Sequence, residues 1–167
     1  MTRFRGYFWI AAAASAAADL LTKHFIFRLL PDLHSEPFRF LNGMLQIVHS
    51  ENRGGVFGLG QGSTLWLIFG VAAGAAVIWF AFRKESSPVL IQIALGLVLG
   101  GAIGNVFDRV ALGYVRDFID VSWSGHHWPA FNVADSGICV GAVILALYAF
   151  FSKKPAEGKR SEPAQRR

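Results

Sequence analysis

Four apolar segments dominate this sequence, at about residues 7–27, 65–82, 89–107 and 133–151, and they leave few folds open to it. A helix needs roughly 20 apolar residues to cross the ~30 Å of bilayer hydrocarbon. Within hydrocarbon a spanning segment must satisfy its own backbone N–H and C=O groups, so runs of this length read as transmembrane helices. Composition agrees: 53% of the 167 residues are apolar, only 16% are charged, and the mean hydropathy is +0.41, outside the range of an ordinary soluble domain. The net charge of +5 does not suggest nucleic-acid binding, because the basic residues sit in short groups beside the apolar runs and do not interleave with aromatics on one surface.

The first segment follows Arg3 and Arg5 and contains Ala-x-Ala sites, which would also suit a cleavable signal peptide. Three further spans, together with Asp19 and Lys23 inside the first, favour a retained helix. Lys and Arg in the connections then set the orientation. Arg3, Arg5, Arg83, Lys84, Lys153, Lys154, Lys159, Arg160, Arg166 and Arg167 fall at the termini and in the short 83–88 loop. Arg28, Arg39, Arg53, Arg109 and Arg116 are spread through the much longer connections near 28–64 and 108–132. Both termini are therefore expected in the cytoplasm, with the two long connections outside.

The first long connection does not read as a linker. Phe38, Phe40, Leu45, Ile47 and Val48 are strand formers, and Asn42-Gly43 is a hairpin signal, so a small extracytoplasmic antiparallel β-sheet is expected over about 36–60. The stretch Gly54 to Gly62, with five glycines, would return the chain to the second span. Residues 1–152 thus form a single membrane-embedded domain, and 153–167, polar and carrying Pro155 and Pro163, a disordered cytoplasmic tail. No internal repeat is evident, which counts against an inverted-repeat transporter.

Ionisable groups near membrane depth are expensive unless paired or hydrated, so each is a functional candidate. Asp19 and Lys23 stand at i, i+4 in the first helix and read as a structural ion pair. Asp108-Arg109, at the outer end of the third span after Gly104-Asn105, could satisfy helix-end carbonyls and hold neighbouring loops. Asp117 lies in the alternating stretch 114–121, in phase with Val115 and Ile119, so on a strand it points with the apolar set. Asp120 has the opposite phase and reads as solvated. Asp135 sits where the fourth helix begins, suited to a capping role and favoured by the helix dipole.

Two carboxylates near one membrane face can do acid hydrolysis, one ionised to activate water while its protonated neighbour polarises a carbonyl. Serine chemistry is disfavoured because neither Gly-x-Ser-x-Gly nor a Ser/Lys pair is present. His126-His127 lacks the glutamate and spacing of a helical zinc motif, so no metal is expected there. Cys139, the sole cysteine, lies in an apolar run and reads as a small core residue.

Five segments in order then resemble the bacterial lipoprotein signal peptidases (signal peptidase II). They are Asp19-Leu20-Leu21-Thr22-Lys23; Asn52-Arg53-Gly54-Gly55-Val56-Phe57; Gly100-Gly101-Ala102-Ile103-Gly104-Asn105-Val106-Phe107-Asp108-Arg109; Val115-Arg116-Asp117-Phe118; and Pro129-Ala130-Phe131-Asn132-Val133-Ala134-Asp135-Ser136. The resemblance implies an aspartyl endopeptidase of the inner membrane that acts toward the periplasm. It would cleave prolipoproteins on the amino side of a diacylglyceryl-modified cysteine, with Asp117 and Asp135 as the catalytic pair. It also implies that Asn52, Gly54, Asn105, Asp108, Arg109, Asn132 and Ala134 shape or support the site and that Asp19 and Lys23 are structural. The implied partners are lipid-modified precursors and membrane lipids, with the chain acting as a monomer and no metal, cofactor or nucleic acid required. Arg53, Gly55 and Val56 replace the more usual Thr, Ala and Ala, which bears on substrate or inhibitor preference. Which aspartate starts protonated is a property of the coupled pair. The rival readings are a small transporter or channel using the same aspartates, and a non-catalytic subunit whose small residues at Ala11–Ala18, Gly70–Ala76 and Gly96–Gly104 only pack helices.

Overall fold

The computed structural model describes residues 6–54, 64–83 and 87–152. Helix α1 spans Gly6–Leu29, α2 Leu65–Arg83, α3 Val89–Leu112 and α4 Val133–Phe151, each long and apolar enough to cross a membrane. Strands β1 (Phe38–Phe40), β2 (Leu45–Asn52), β3 (Val115–Trp123) and β4 (His126–His127) form one antiparallel sheet in that spatial order. The expected glycine-rich return beyond Gly54, including residues 55–60 of the expected sheet region, lies outside the described residues, as does the expected tail at 153–167.

Helix α3 is the hub, packing against α1, α2 and α4. Small residues make this possible: a Cβ on Gly96 or Gly100 would stand 2.5 Å from the carbonyl oxygen of Phe8 or Ala12 on α1, and one on Gly101 2.5 Å from that of Ala134 on α4. Backbones in such contact hold a bundle together where lipid removes the hydrophobic drive between helices. Phe8, Ala12, Ile91, Leu95 and Leu99 form the apolar core of the α1–α3 seam. Outward-facing Leu65, Ile68, Phe69 and Trp79 of α2 remain exposed, as expected of a lipid-facing surface. Cys139 is corrected by the same geometry. It is exposed, because the α4 face that meets α3 is marked by Ala134 and Gly141 and Cys139 does not belong to it.

Three of the four helix spans agree with the sequence to within two residues at each end; α3 runs five residues further. The apolar run stops at Phe107, but the helix continues because the charge of Asp108 finds Lys23 and Arg116 as partners. It ends at Gly113, whose φ of 81° closes the last turn with an N–H bond to the Arg109 carbonyl. Asp108 therefore sits within the helix and does not serve helix-end carbonyls.

The hairpin signalled by Asn42-Gly43 is present, with Phe40 paired to Leu45 around a tight turn in which Leu41, Asn42 and Gly43 all have positive φ. The sheet draws on both long connections, since β2 pairs with β3 along most of its length. A bulge separates the Ile47↔Ile119 and Ser50↔Asp117 pairs. At this break the N–H groups of Phe118 and Ile119 donate to the Phe131 carbonyl, and the Phe131 N–H returns a bond to Ile119. The strand carrying Asp117 is thus tied directly to the segment that enters α4.

Candidate functional site

α1 and α3 run parallel and α4 antiparallel to them, so the C-terminal turns of α1 and α3 meet the first turn of α4 at one end of the bundle. The β2–β3 pair closes over this end. Every site residue expected from the sequence is brought here: Asp19 and Lys23 from α1, Asn52 and Gly54 from the end of β2, Asn105, Asp108 and Arg109 from α3, Asp117 from β3, and Asn132, Ala134 and Asp135 from the start of α4.

Asp117 does point with the buried set: it is 2% exposed, as is Val115 two residues before it. The alternation then breaks at Phe118, also buried, where the bulge turns the strand. Asp135 occupies the third position of α4 and forms a capping box with Asn132: the Asp135 N–H donates to Asn132 Oδ1 at 3.0 Å, and the Asn132 N–H to Asp135 Oδ2 at 3.2 Å. The capping reading of Asp135 is therefore correct as far as it goes, but it does not exhaust the residue.

The cap also orients the Asn132 amide. A backbone N–H must face an acceptor, so Asn132 presents its oxygen to Asp135 and its Nδ2 to Asp117 Oδ1, at 2.6 Å. Asn132 thereby joins the two candidate carboxylates through one side chain. Asn105 adds a second link, donating Nδ2–H to Asp135 Oδ1 at 2.8 Å. Asn52 is held the same way, its oxygen taken by the Gly54 N–H at 3.0 Å while its side chain hydrogen-bonds Asp117. Burial, reinforced by the nearby negative charge of Asp135, pushes the Asp117 carboxyl up to about 7 against the opposing bonds from Asn52 and Asn132 and the charge of Lys23.

Beneath the carboxylates lies a buried ionic cluster. Lys23 Nζ is 2.6 Å from Asp19 Oδ2 and 3.2 Å from Asp108 Oδ2, with all three side chains fully buried. The other oxygen of Asp19 accepts the Ala134 N–H at 2.9 Å, tying α1 to the first turn of α4. The i, i+4 structural pair read from the sequence is present, and it extends into a crosslink among three helices. A Cβ on Gly104 would collide with the Asp19 carboxylate, so glycine is required for this approach. Arg116 carried no expectation of its own, yet it completes the cluster, bonding Asp108 Oδ1 through Nη2 at 2.6 Å and Asp108 Oδ2 through its backbone N–H at 3.0 Å. Its position between an apolar strand residue and Asp117 was the available signal.

Arg109 bonds backbone carbonyls of Asn105 and Gly54 and lies within electrostatic reach of Asp117 and Asp135. Asp120 is corrected: its side chain is only 14% exposed and is paired with His127 Nδ1 at 2.8 Å, because the Ser124-Gly125 turn folds β4 back beside β3. Arg53 projects into solvent at 64% exposure, paired with Glu51 at 2.8 Å. Among the described residues no group of three or more His, Cys, Asp and Glu side chains could hold a metal ion.

A family model described as Signal peptidase (SPase) II matches residues 11–151. A protein from Ralstonia nicotianae named lipoprotein signal peptidase is 42% identical over 134 residues, covering 77% of this chain and 75% of its own. One of the same name from Syntrophotalea carbinolica is 43% identical over 143 residues, covering 83% and 87%. Among solved structures, one described as a bacterial membrane enzyme, obtained by the in meso method at 2.3 Å resolution, superposes with a TM-score of 0.80 at 29% identity, covering 92% of this chain and 94% of that one.

Proposed function

The chain belongs to the signal peptidase II family and is a multi-pass membrane peptidase, and we propose that it removes signal peptides from prolipoproteins as an aspartyl endopeptidase. It cleaves on the amino side of a diacylglyceryl-modified cysteine, with Asp117 and Asp135 acting on a water. Both termini lie in the cytoplasm of a cell with an inner membrane, and the sheet and the dyad face the periplasm, where a monomer receives precursors whose signal helix and acyl chains stay in the bilayer.

The observation that carries this reading is the bridge of Asn132 between Asp117 and Asp135, with Asp117 deeply buried. An acidic group pushed up to about 7 holds its proton at moderate pH and is suited to hydrogen-bond the scissile carbonyl. Asp135, both of whose oxygens receive N–H donors, is suited to accept a proton from water. Water adds its oxygen to the carbonyl carbon and leaves a proton on Asp135. As the C–N bond breaks, the departing amide nitrogen takes the proton of Asp117, and transfer of a proton back from Asp135 to Asp117 resets the pair.

The substrate class is tested with two matched precursor peptides, one carrying the diacylglyceryl group on its cysteine and one bare, incubated with the purified chain. The expected product is the lipid-modified fragment that begins at cysteine, from the first peptide alone. Equal cleavage of both would overturn lipid recognition, and cleavage of neither would overturn the peptidase assignment and favour a transport or assembly role.

A further inference from the structure

Lys23 lies a full shell away from either candidate carboxylate, yet its bonds reach one of them. Its ammonium has three protons and no acceptor, and three oxygens surround it: Asp19 Oδ2 at 2.6 Å, Asn105 Oδ1 at 3.0 Å and Asp108 Oδ2 at 3.2 Å. An amide facing an ammonium must present oxygen. Asn105 is therefore not free to turn over, and its Nδ2 is committed to Asp135 Oδ1 at 2.8 Å. Asn132 Nδ2 reinforces the same orientation by donating to Asn105 Oδ1 at 3.2 Å.

We propose that Lys23 is a positioning residue for the reaction, acting through Asn105: it fixes the direction of that amide so that Asp135 always meets a donor and is kept as the proton-accepting member of the pair. The inference rests on the dyad reading above and gives the buried lysine a task beyond joining helices. Without Lys23 the Asn105 amide is held only by the 3.2 Å bond from Asn132 Nδ2; when it turns its oxygen toward Asp135, an acceptor faces an acceptor, and Asp135 loses the donor to Oδ1 while keeping the capping bond of the Asn132 N–H on Oδ2. The charged groups that meet this chain of bonds are Lys23 and Asp19 from α1, Asp108 and Arg109 from α3, Arg116 and Asp117 from β3, and Asp135 from α4.

Removing Lys23 alone would strand two carboxylates, so the test pairs Lys23→Met with Asp19→Asn. This leaves Asp108 matched to Arg116 and keeps an oxygen for the Ala134 N–H. The folded fraction is scored by thermal unfolding of the full chain in detergent, and kcat and KM are read on the lipid-modified peptide. The expected result is a folded protein whose kcat falls about 10- to 100-fold with KM within about twofold of wild type. Asn105→Ala should show a loss of similar size, and the triple variant no further loss, because both changes break one path. A folded paired variant with wild-type kcat, or losses that multiply in the triple variant, would overturn the proposal. Where the paired variant does not fold, Asn105→Asp decides. It keeps an acceptor for Lys23 but removes the donor to Asp135, so activity should collapse at neutral pH and recover as the new carboxyl is protonated at lower pH. An unchanged pH profile would overturn the proposal. Wild type and Asp117→Asn are run alongside: an inactive wild type, or undiminished cleavage by Asp117→Asn, sinks the dyad reading itself, whereas the outcomes above concern the path from Lys23 through Asn105 to Asp135.

Discussion

At the scale of single residues, the environment of Asp117 makes a signed expectation about pH. Its carboxyl moves from an ordinary 3.8 to about 7 on folding, so between these values the folded chain holds a proton that the unfolded chain has released. Stability should therefore fall as pH rises from about 4 to about 7, by up to roughly 4 kcal/mol if the whole shift is expressed. Asp117→Asn has no such proton to lose. Its melting temperature should gain on wild type across that window and hold a constant lead above it, as thermal unfolding at a series of pH values would record. Asp108 is expected to matter for a different reason. Asp108→Ala leaves Lys23 and Arg116 short of a buried partner, and breaking such a pair destabilises by about 3–5 kcal/mol, measurable by denaturant unfolding in detergent. Legibility in the sequence differs between these two residues. The side on which Asp117 lies follows from strand periodicity and could be read. The partners of Asp108 come from α1, 85 positions earlier, and from a strand still to be formed, so a role at the helix end and in holding neighbouring loops could be read for it, but not the residues it would meet.

At the scale of elements, helix existence was legible because a bilayer imposes a length and a composition on every span. The end of α3 was not, since the first charged residue closes an apolar run on paper but not where buried counter-charges receive it. The β1–β2 hairpin was legible from Asn42-Gly43, whereas the β2–β3 pairing joins segments more than 60 residues apart and leaves no local mark. The small-residue faces of α1 and α3 were legible as packing surfaces, and here the structure adds a magnitude. A methyl group on Gly100 would meet the Ala12 carbonyl oxygen at 2.5 Å and Ser15 Cβ at 2.6 Å, with backbone that cannot step aside cheaply. Gly100→Ala should therefore push α1 from α3 and destabilise the protein by about 1–3 kcal/mol. Because Lys23 and Asp19 ride on α1, activity should fall along with stability; a variant as stable and as active as wild type would contradict the tight seam.

At the scale of the whole molecule, topology concentrates the polar chemistry at one end. Two parallel helices finish where a third begins, and a sheet built from both long connections lies over the junction, so groups from five separate stretches of chain converge without any residue travelling far from its own element. In the proposed orientation, read from the distribution of Lys and Arg, this end faces the outer side of the membrane. Reporter proteins fused at either terminus should accordingly be active only in forms that work in the cytoplasm. Five motifs in order made the membership of the family readable in the sequence, but the bridge of Asn132 and the ionic cluster beneath it exist only once the helices are packed. The most direct test of the account is single-turnover cleavage of a diacylglyceryl-modified precursor peptide by folded wild type, Asp117→Asn and Asp135→Asn, with products identified by mass. The account predicts cleavage before the modified cysteine by wild type and a loss of at least about 10²- to 10⁴-fold in each variant; near-normal cleavage by either folded variant would remove that aspartate from the pair and contradict it.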